Sequence, residues 1–146
     1  MTSTDRMRAI VAVAATQPAT LDLRWSDGAE ATLDLGAILR DRRFRGLRDP
    51  AAFARAERGD WGHSVVWPSG EELSAETLWL ETLTATGRDD TRRFLEWRLR
   101  NGLSLSGAAE ALGVSRRMVA YYANGEKRVP RPILLACIGW EVGRAA

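Results

Sequence analysis

Cysteine and histidine occur once each in this 146-residue chain, as Cys137 and His63. A single cysteine excludes an internal disulfide, and one of each leaves too few ligands for a zinc site. Cys137 sits inside the apolar run Ile133-Leu-Leu-Ala-Cys-Ile138, where it reads as a small buried hydrophobe. Long apolar runs are missing too. The longest hold seven and six residues, far short of the roughly 20 a membrane helix needs. Arg6 and Arg8 before AIVAVAA form a weak leader-like pattern, which a β-strand explains as well. No G-x-x-x-x-G-K-[ST] phosphate loop and no internal repeat is present. His63 is near Asp60 and Ser64 only in sequence. A triad needs partners that converge in space, so His63 reads as a loop residue. The chain is therefore expected to be a cytoplasmic protein, not an enzyme, with no metal, no cofactor and no membrane partner.

What is present is an ordinary globular composition with a lopsided charge. Hydrophobic residues make up 45% and charged residues 27%, within the range of folded domains. The net charge of +2 hides the asymmetry. Residues 1–90 carry eleven arginines against fifteen carboxylates, a net of −4. Residues 91–146 carry ten cations against four carboxylates, a net of +6. Phosphate binding requires such a concentration of cations, and the acidic front half argues against that half lying on nucleic acid.

The sharpest motif falls in the basic part. In GLSLSGAAEALGVSRRMVAYYANG (102–125), Ala108, Ala109 and Leu112 give a short helix one apolar side. Ser104 is placed to cap its start, and Gly113 to close it with a left-handed residue. Only Val114 separates Gly113 from Ser115, the next cap. Two helices joined that tightly cross steeply. The second runs to about Asn124 and stops at Gly125, with Val119 and Tyr122 inward. Arg116, Arg117, Ala120, Tyr121 and Asn124 face out. A cation in a first helical turn costs about 0.3–1 kcal/mol. Stability alone therefore does not favour the arginine pair: the plain reading is a solvated basic helix end, and the favoured one is an approaching anion, since arginine is the usual bidentate partner of guanine.

These residues resemble the Cro and lambda-repressor-like helix-turn-helix proteins of the xenobiotic-response-element type. The match rests on Arg98, Gly102-Leu103-Ser104, Ala109, Leu112-Gly113-Val114-Ser115, Val119, Asn124 and Gly125, within about residues 91–135. The resemblance implies a bundle of four or five helices whose third helix enters the major groove of double-stranded DNA. It implies base reading by Arg116, Arg117 and Tyr121, with Ser115 at the same helix start. It implies phosphate contact by Asn124, and backbone or minor-groove contact by Arg131. Ser104, Lys127 and Arg128 are further backbone candidates. The chain departs from the family in three places. Leu105 stands where a phosphate-touching Gln is usual, Ala123 where a Glu partners the first-helix arginine, and Gly107 where a Glu would complete a capping box. Without its carboxylate, Arg98 is left to bond helix-end carbonyls or to face phosphate. Leu105 and Ala123 also motivate an alternative, a protein-interaction module whose helix-turn-helix no longer reads DNA.

The front half reads as strands with short helices. RAIVAVAA (8–15), TLDLRW (20–25) and EATLDL (30–35) are three strands, the last two a hairpin around Ser26-Asp27-Gly28. A basic stretch, Arg40, Arg42, Arg43, Arg45 and Arg48, is expected as a solvated loop anchored by Phe44 and Leu47. PAAFARAE (50–57) reads as a helix burying Phe53, HSVVW and the segment after Pro68-Ser69-Gly70 as a second hairpin, and SAETLWLETL as a helix capped by Ser74. Trp25, Trp61, Trp67 and Trp79 are expected in a core rather than in a ligand cage. The pattern resembles an uncharacterised small α+β domain family often found ahead of helix-turn-helix units. Some of its members are associated with toxin–antitoxin operons.

The expected organisation is α+β: a hairpin-rich domain over 1–83, a linker over 84–90 and an all-α helix-turn-helix bundle over 91–146. Leu95 and Leu99 form a second apolar stripe on the helix at 91–101 and are expected to pack on the front domain or the final helix. Ile133, Leu134, Ile138, Trp140 and Val142 make the final helix apolar. It either completes the bundle or makes a dimer seam. The expected function is transcriptional regulation by a DNA-bound homodimer, autoregulatory or antitoxin-like, with a toxin or other protein partner for the front domain.

Overall fold

The computed structural model describes residues 8–145. Arg6 of the leader-like pattern lies outside the described residues. The chain divides into two compact units between Thr86 and Gly87.

The front unit opens with a three-stranded antiparallel sheet, β1 (Ile10–Gln17), β2 (Thr20–Trp25) and β3 (Glu30–Asp34), in that order. The period-2 alternation along β2 decides its faces. Leu21, Leu23 and Trp25 are buried, as is Leu33, which pairs with Leu21. Asp22 and Arg24 face the other way beside Thr32 and Glu30, and Asp22 accepts the Thr32 hydroxyl at 2.7 Å. The hairpin turn is closed by Asp27, whose carboxylate accepts the Ala29 N–H at 3.0 Å.

The basic stretch after β3 is solvated and anchored as expected, with its five arginines exposed, but it is not irregular. It folds as 3-10 turns over 38–40 and 42–48, which bury Leu39, Phe44 and Leu47. Arg48 stays within the fold, donating to the carbonyls of Leu39 (3.1 Å) and Arg40 (2.8 Å). The helix expected at 50–57 ends early, as α1 (Pro50–Phe53). Phe53 is by then buried, and the chain extends so that β4 (Glu57–Arg58) can pair with β5 (Ser64–Val66). β6 (Glu72–Ser74) completes a second antiparallel sheet. The Ser74 hydroxyl then accepts the Thr77 N–H at 3.1 Å and starts α2 (Ala75–Ala85). α2 buries Leu78, Thr82 and Leu83. The Trp25 indole donates to the buried Thr82 hydroxyl at 3.1 Å, and the Trp67 indole to the Phe53 carbonyl at 2.9 Å.

Trp61 breaks the expectation for the tryptophans: it is 82% exposed. The cause is the Asp60-Trp61-Gly62 turn, where both central residues have positive φ, 62° and 73°. A Cβ on Gly62 would lie 2.1 Å from the Ile10 carbonyl oxygen. The turn backs onto β1 at Gly62, and the neighbouring indole stands in solvent.

The rear unit holds four helices among the described residues: α3 (Asp89–Arg100), α4 (Leu105–Leu112), α5 (Arg116–Asn124) and α6 (Arg131–Ala145). Only residues 86–88 separate α2 from α3, so both ends of the segment expected as a linker are helical. Phe94 and Trp97 are buried at the centre, with Leu105, Ala108, Val119, Tyr122 and Cys137 around them. Phe94 lies 5.6 Å from Tyr122, and Trp97 5.6 Å from Trp140 in an edge-to-face contact. Leu95 joins this core in part, whereas Leu99 is 49% exposed. Ile133, Leu134 and Trp140 of α6 pack inward, but Leu135, Ile138 and Val142 are exposed. α6 thus carries apolar residues both toward the bundle and on its exposed side. The end of α3 is tied to α6 by Arg100, which bonds Glu141 at 2.7 and 2.9 Å, and by Asn101, which bonds the same carboxylate at 3.0 Å.

Candidate nucleic-acid interface

The corner is built by its caps. The Ser104 hydroxyl accepts the Gly107 N–H at 2.9 Å and starts α4. Gly113 adopts φ 69° and ends it, a conformation that would strain any residue bearing a Cβ. The Ser115 hydroxyl then accepts the Met118 N–H at 3.1 Å and starts α5. Gly125, at φ 83°, closes α5 in the same way. Val119, Tyr122 and Ala123 hold α5 to the bundle by one face. The opposite face, with Arg116 and Arg117 in its first turn, is open to solvent.

The expected site residues have different surroundings. Among the described residues, none forms a hydrogen bond or ion pair with the guanidinium of Arg116 or Arg131. Arg117 is held: its Nε donates to the Tyr121 hydroxyl at 2.7 Å, and its guanidinium lies 5.4 Å from that ring. Lys127 Nζ lies 5.0 Å from the same ring. Asn124 folds onto its own loop, where its amide oxygen accepts the Glu126 N–H at 2.8 Å and its Nδ2 donates to the Glu126 carboxylate at 3.3 Å. The hydroxyls of Ser104 and Ser115 accept bonds in their caps and each retains an O–H to donate.

Arg128 is placed differently from a backbone-contacting cation. It donates to the Gly87 carbonyl at 2.9 Å and to Asp90 at 3.0 Å. The other Asp90 oxygen accepts the Val129 N–H at 2.8 Å. Arg88 donates to the Gly125 carbonyl at 3.0 Å, beside the end of α5. Arg88, Asp90 and Arg128 thus fasten the loop after α5 to the start of α3. Burial opposes the charge of Asp90, but the bonds from Val129 and Arg128 outweigh it, and the carboxyl is held below its ordinary range. Sequence reading missed Arg88 and Asp90; their partners lie about forty positions away.

The family departures have local consequences. Leu105 is only 2% exposed, a core residue that cannot touch phosphate. Ala123 is buried as well. Arg98, without the usual carboxylate, donates from Nε to the Leu103 carbonyl at 2.9 Å, which fixes the loop before α4. Cys137 is buried, and burial raises its thiol to about 11, so it has little thiolate character. The Arg100 and Asn101 bonds hold Glu141 down to about 2. Among the described residues, no cluster of His, Cys, Asp and Glu is arranged to hold a metal, and no helix is long and apolar enough to cross a membrane.

Comparison with known proteins divides the chain in the same two parts. The family described as "Protein of unknown function (DUF2442)" matches residues 10–82, and the family described as "Helix-turn-helix" matches residues 95–136. A crystal structure of a Nitrosomonas europaea protein, named as a candidate DNA binding protein, is similar to this chain with 40% identity and a TM-score of 0.72. The match covers 94% of this chain and 88% of that one. Among curated proteins none matches.

Proposed function

This chain belongs to the DUF2442 family and carries a helix-turn-helix of the Cro/C1 type after that domain, and from this premise we propose that it is a sequence-specific DNA-binding regulator of transcription. The observation that carries the reading is the exposed first turn of α5, where Arg116 and Arg117 stand beyond a capped corner on a helix held from behind. The name of the Nitrosomonas relative supports the same reading. In it, Arg116, Arg117 and Tyr121 meet base edges in the major groove. Ser104, Ser115, Asn124, Lys127 and Arg131 meet the backbone or its margins. Arg128 contributes mainly by holding the loop after α5.

The acting species is a homodimer that sets two copies of α5 about 34 Å apart on one face of the duplex. The apolar outer side of α6, with Leu135, Ile138 and Val142 exposed, supports association of this kind. The acidic front unit acts away from DNA, as the seat of a protein partner in an autoregulatory or antitoxin-like arrangement, in the cytoplasm. No catalytic role is proposed.

A gel-shift titration tests this. Replacing Arg116 and Arg117 with Ala should cost about 1–3 kcal/mol per lost base contact and relax sequence preference. Equal binding by the double variant would remove these residues from the interface. The buried Leu105 and Ala123 favour a second reading, an interaction module that has left DNA. Its binding would be apolar and would hardly respond to salt.

A further inference from the structure

We propose that Tyr121 is a positioning residue that holds Arg117 end-on, so that its two terminal nitrogens form a donor-only fork that selects a guanine. The proposal rests on the DNA-binding reading and adds what that site discriminates. A guanidinium has five N–H donors, and it can grip two acceptors either with its Nε and one terminal nitrogen or with its two terminal nitrogens. In Arg117 the first grip is taken, because Nε donates to the Tyr121 hydroxyl at 2.7 Å. Only the terminal pair remains. The Tyr121 oxygen accepts that bond and keeps its own O–H to donate. Lys127, whose Nζ lies 5.0 Å from the same ring, adds a third donor group.

Among the described residues, no carboxylate bonds Arg117, Tyr121 or Lys127. Glu126, the nearest carboxylate in sequence, bonds Asn124. Guanine presents two acceptors, N7 and O6, in the major groove. Adenine presents one acceptor and one donor, and cytosine a donor. A donor-only fork therefore matches guanine and meets an unfavourable N–H against adenine. Tyr121 also fixes where the fork stands. Its ring is half-buried, and the cations lie within attraction distance of it. Arg116 lacks such a partner and loses its full side-chain freedom on binding, so Arg117 is the stronger discriminator.

The test uses the full chain. Duplexes are selected from a randomised pool, then titrated by fluorescence anisotropy with each selected guanine replaced by adenine. The wild type should select an invariant guanine and prefer it to adenine by at least about fivefold. Y121F, which keeps the ring and removes the hydroxyl, should lose about threefold or more of that preference with the salt dependence unchanged. R117K should lose the preference while keeping its charge. Circular dichroism confirms that each variant is folded. Selection without a guanine, or full preference in Y121F or R117K, would overturn this assignment and leave DNA binding intact. Failure of the wild type to select any duplex would overturn both.

Discussion

The front and rear units use arginine in opposite ways. In the front unit Arg8 bonds Asp27, Arg43 bonds Asp41, and Arg48 and Arg58 donate to backbone carbonyls. These cations brace loops, in a part of the chain (residues 1–90) with a net charge of −4. The rear unit braces itself with arginines too: Arg88 on Gly125, Arg98 on Leu103, Arg100 on Glu141 and Arg128 on Asp90. Three of its carboxylates are engaged as well: Glu96 pairs with Arg92, Glu141 with Arg100, and Glu126 with Asn124. The first turn of α5 is left with cations and no acid. Charge count alone does not locate an interface; what each cation already bonds to does.

The largest way to break this comparison is through the core that holds α5 in place. Phe94 is fully buried against Trp97 and Tyr122. Phe94→Ala should destabilise the rear unit by about 3–5 kcal/mol. Amide exchange should report the loss across α4 and α5. Next come the cations themselves. Arg116→Ala with Arg117→Ala should remove about 1–3 kcal/mol of DNA binding per contact, yet change stability by less than about 0.5 kcal/mol. Arg48→Ala should do the reverse, costing about 1–2 kcal/mol of stability by freeing two carbonyls, with DNA binding unchanged. Paired urea denaturation and anisotropy titrations separate the two classes.

Acid sharpens the contrast further. Asp90 titrates lower in the folded chain than in the unfolded one, so its stabilisation is present above the unfolded value of about 3.9 and is lost as pH falls through the lower folded value. Glu141, held at about 2, behaves in the same sense over the interval between that value and its unfolded range. The rear unit should therefore weaken below about pH 4. D90N should cost about 1–2 kcal/mol near neutrality and flatten that acid limb, as read by thermal melts across pH. The smallest effect belongs to Cys137, whose thiol should resist alkylation at pH 8 in the native chain and react on unfolding.

Much of this arrangement was legible in the sequence because its signals are local. Ser74, Ser104 and Ser115 each stand just before a helix they cap, and Gly113 and Gly125 just after one. The alternation of Leu21 and Leu23 declared the buried face of β2. What could not be read depends on distant partners. β4 is two residues long and exists only because β5 lies beside it. Trp61 carries the composition of a core residue, but the close approach of Gly62 to Ile10 turns it outward. The burial of Leu105 and the bonds of Arg88 and Arg128 are likewise set by neighbours about forty positions away or in other helices.

The most direct test of the central claim is the salt dependence of duplex binding by the full chain. If Arg116, Arg117 and their neighbours meet a polyanion, the logarithm of the association constant should fall steeply and linearly with that of salt concentration, by about 0.9 per phosphate neutralised. Affinity that is flat across the salt range would contradict the account.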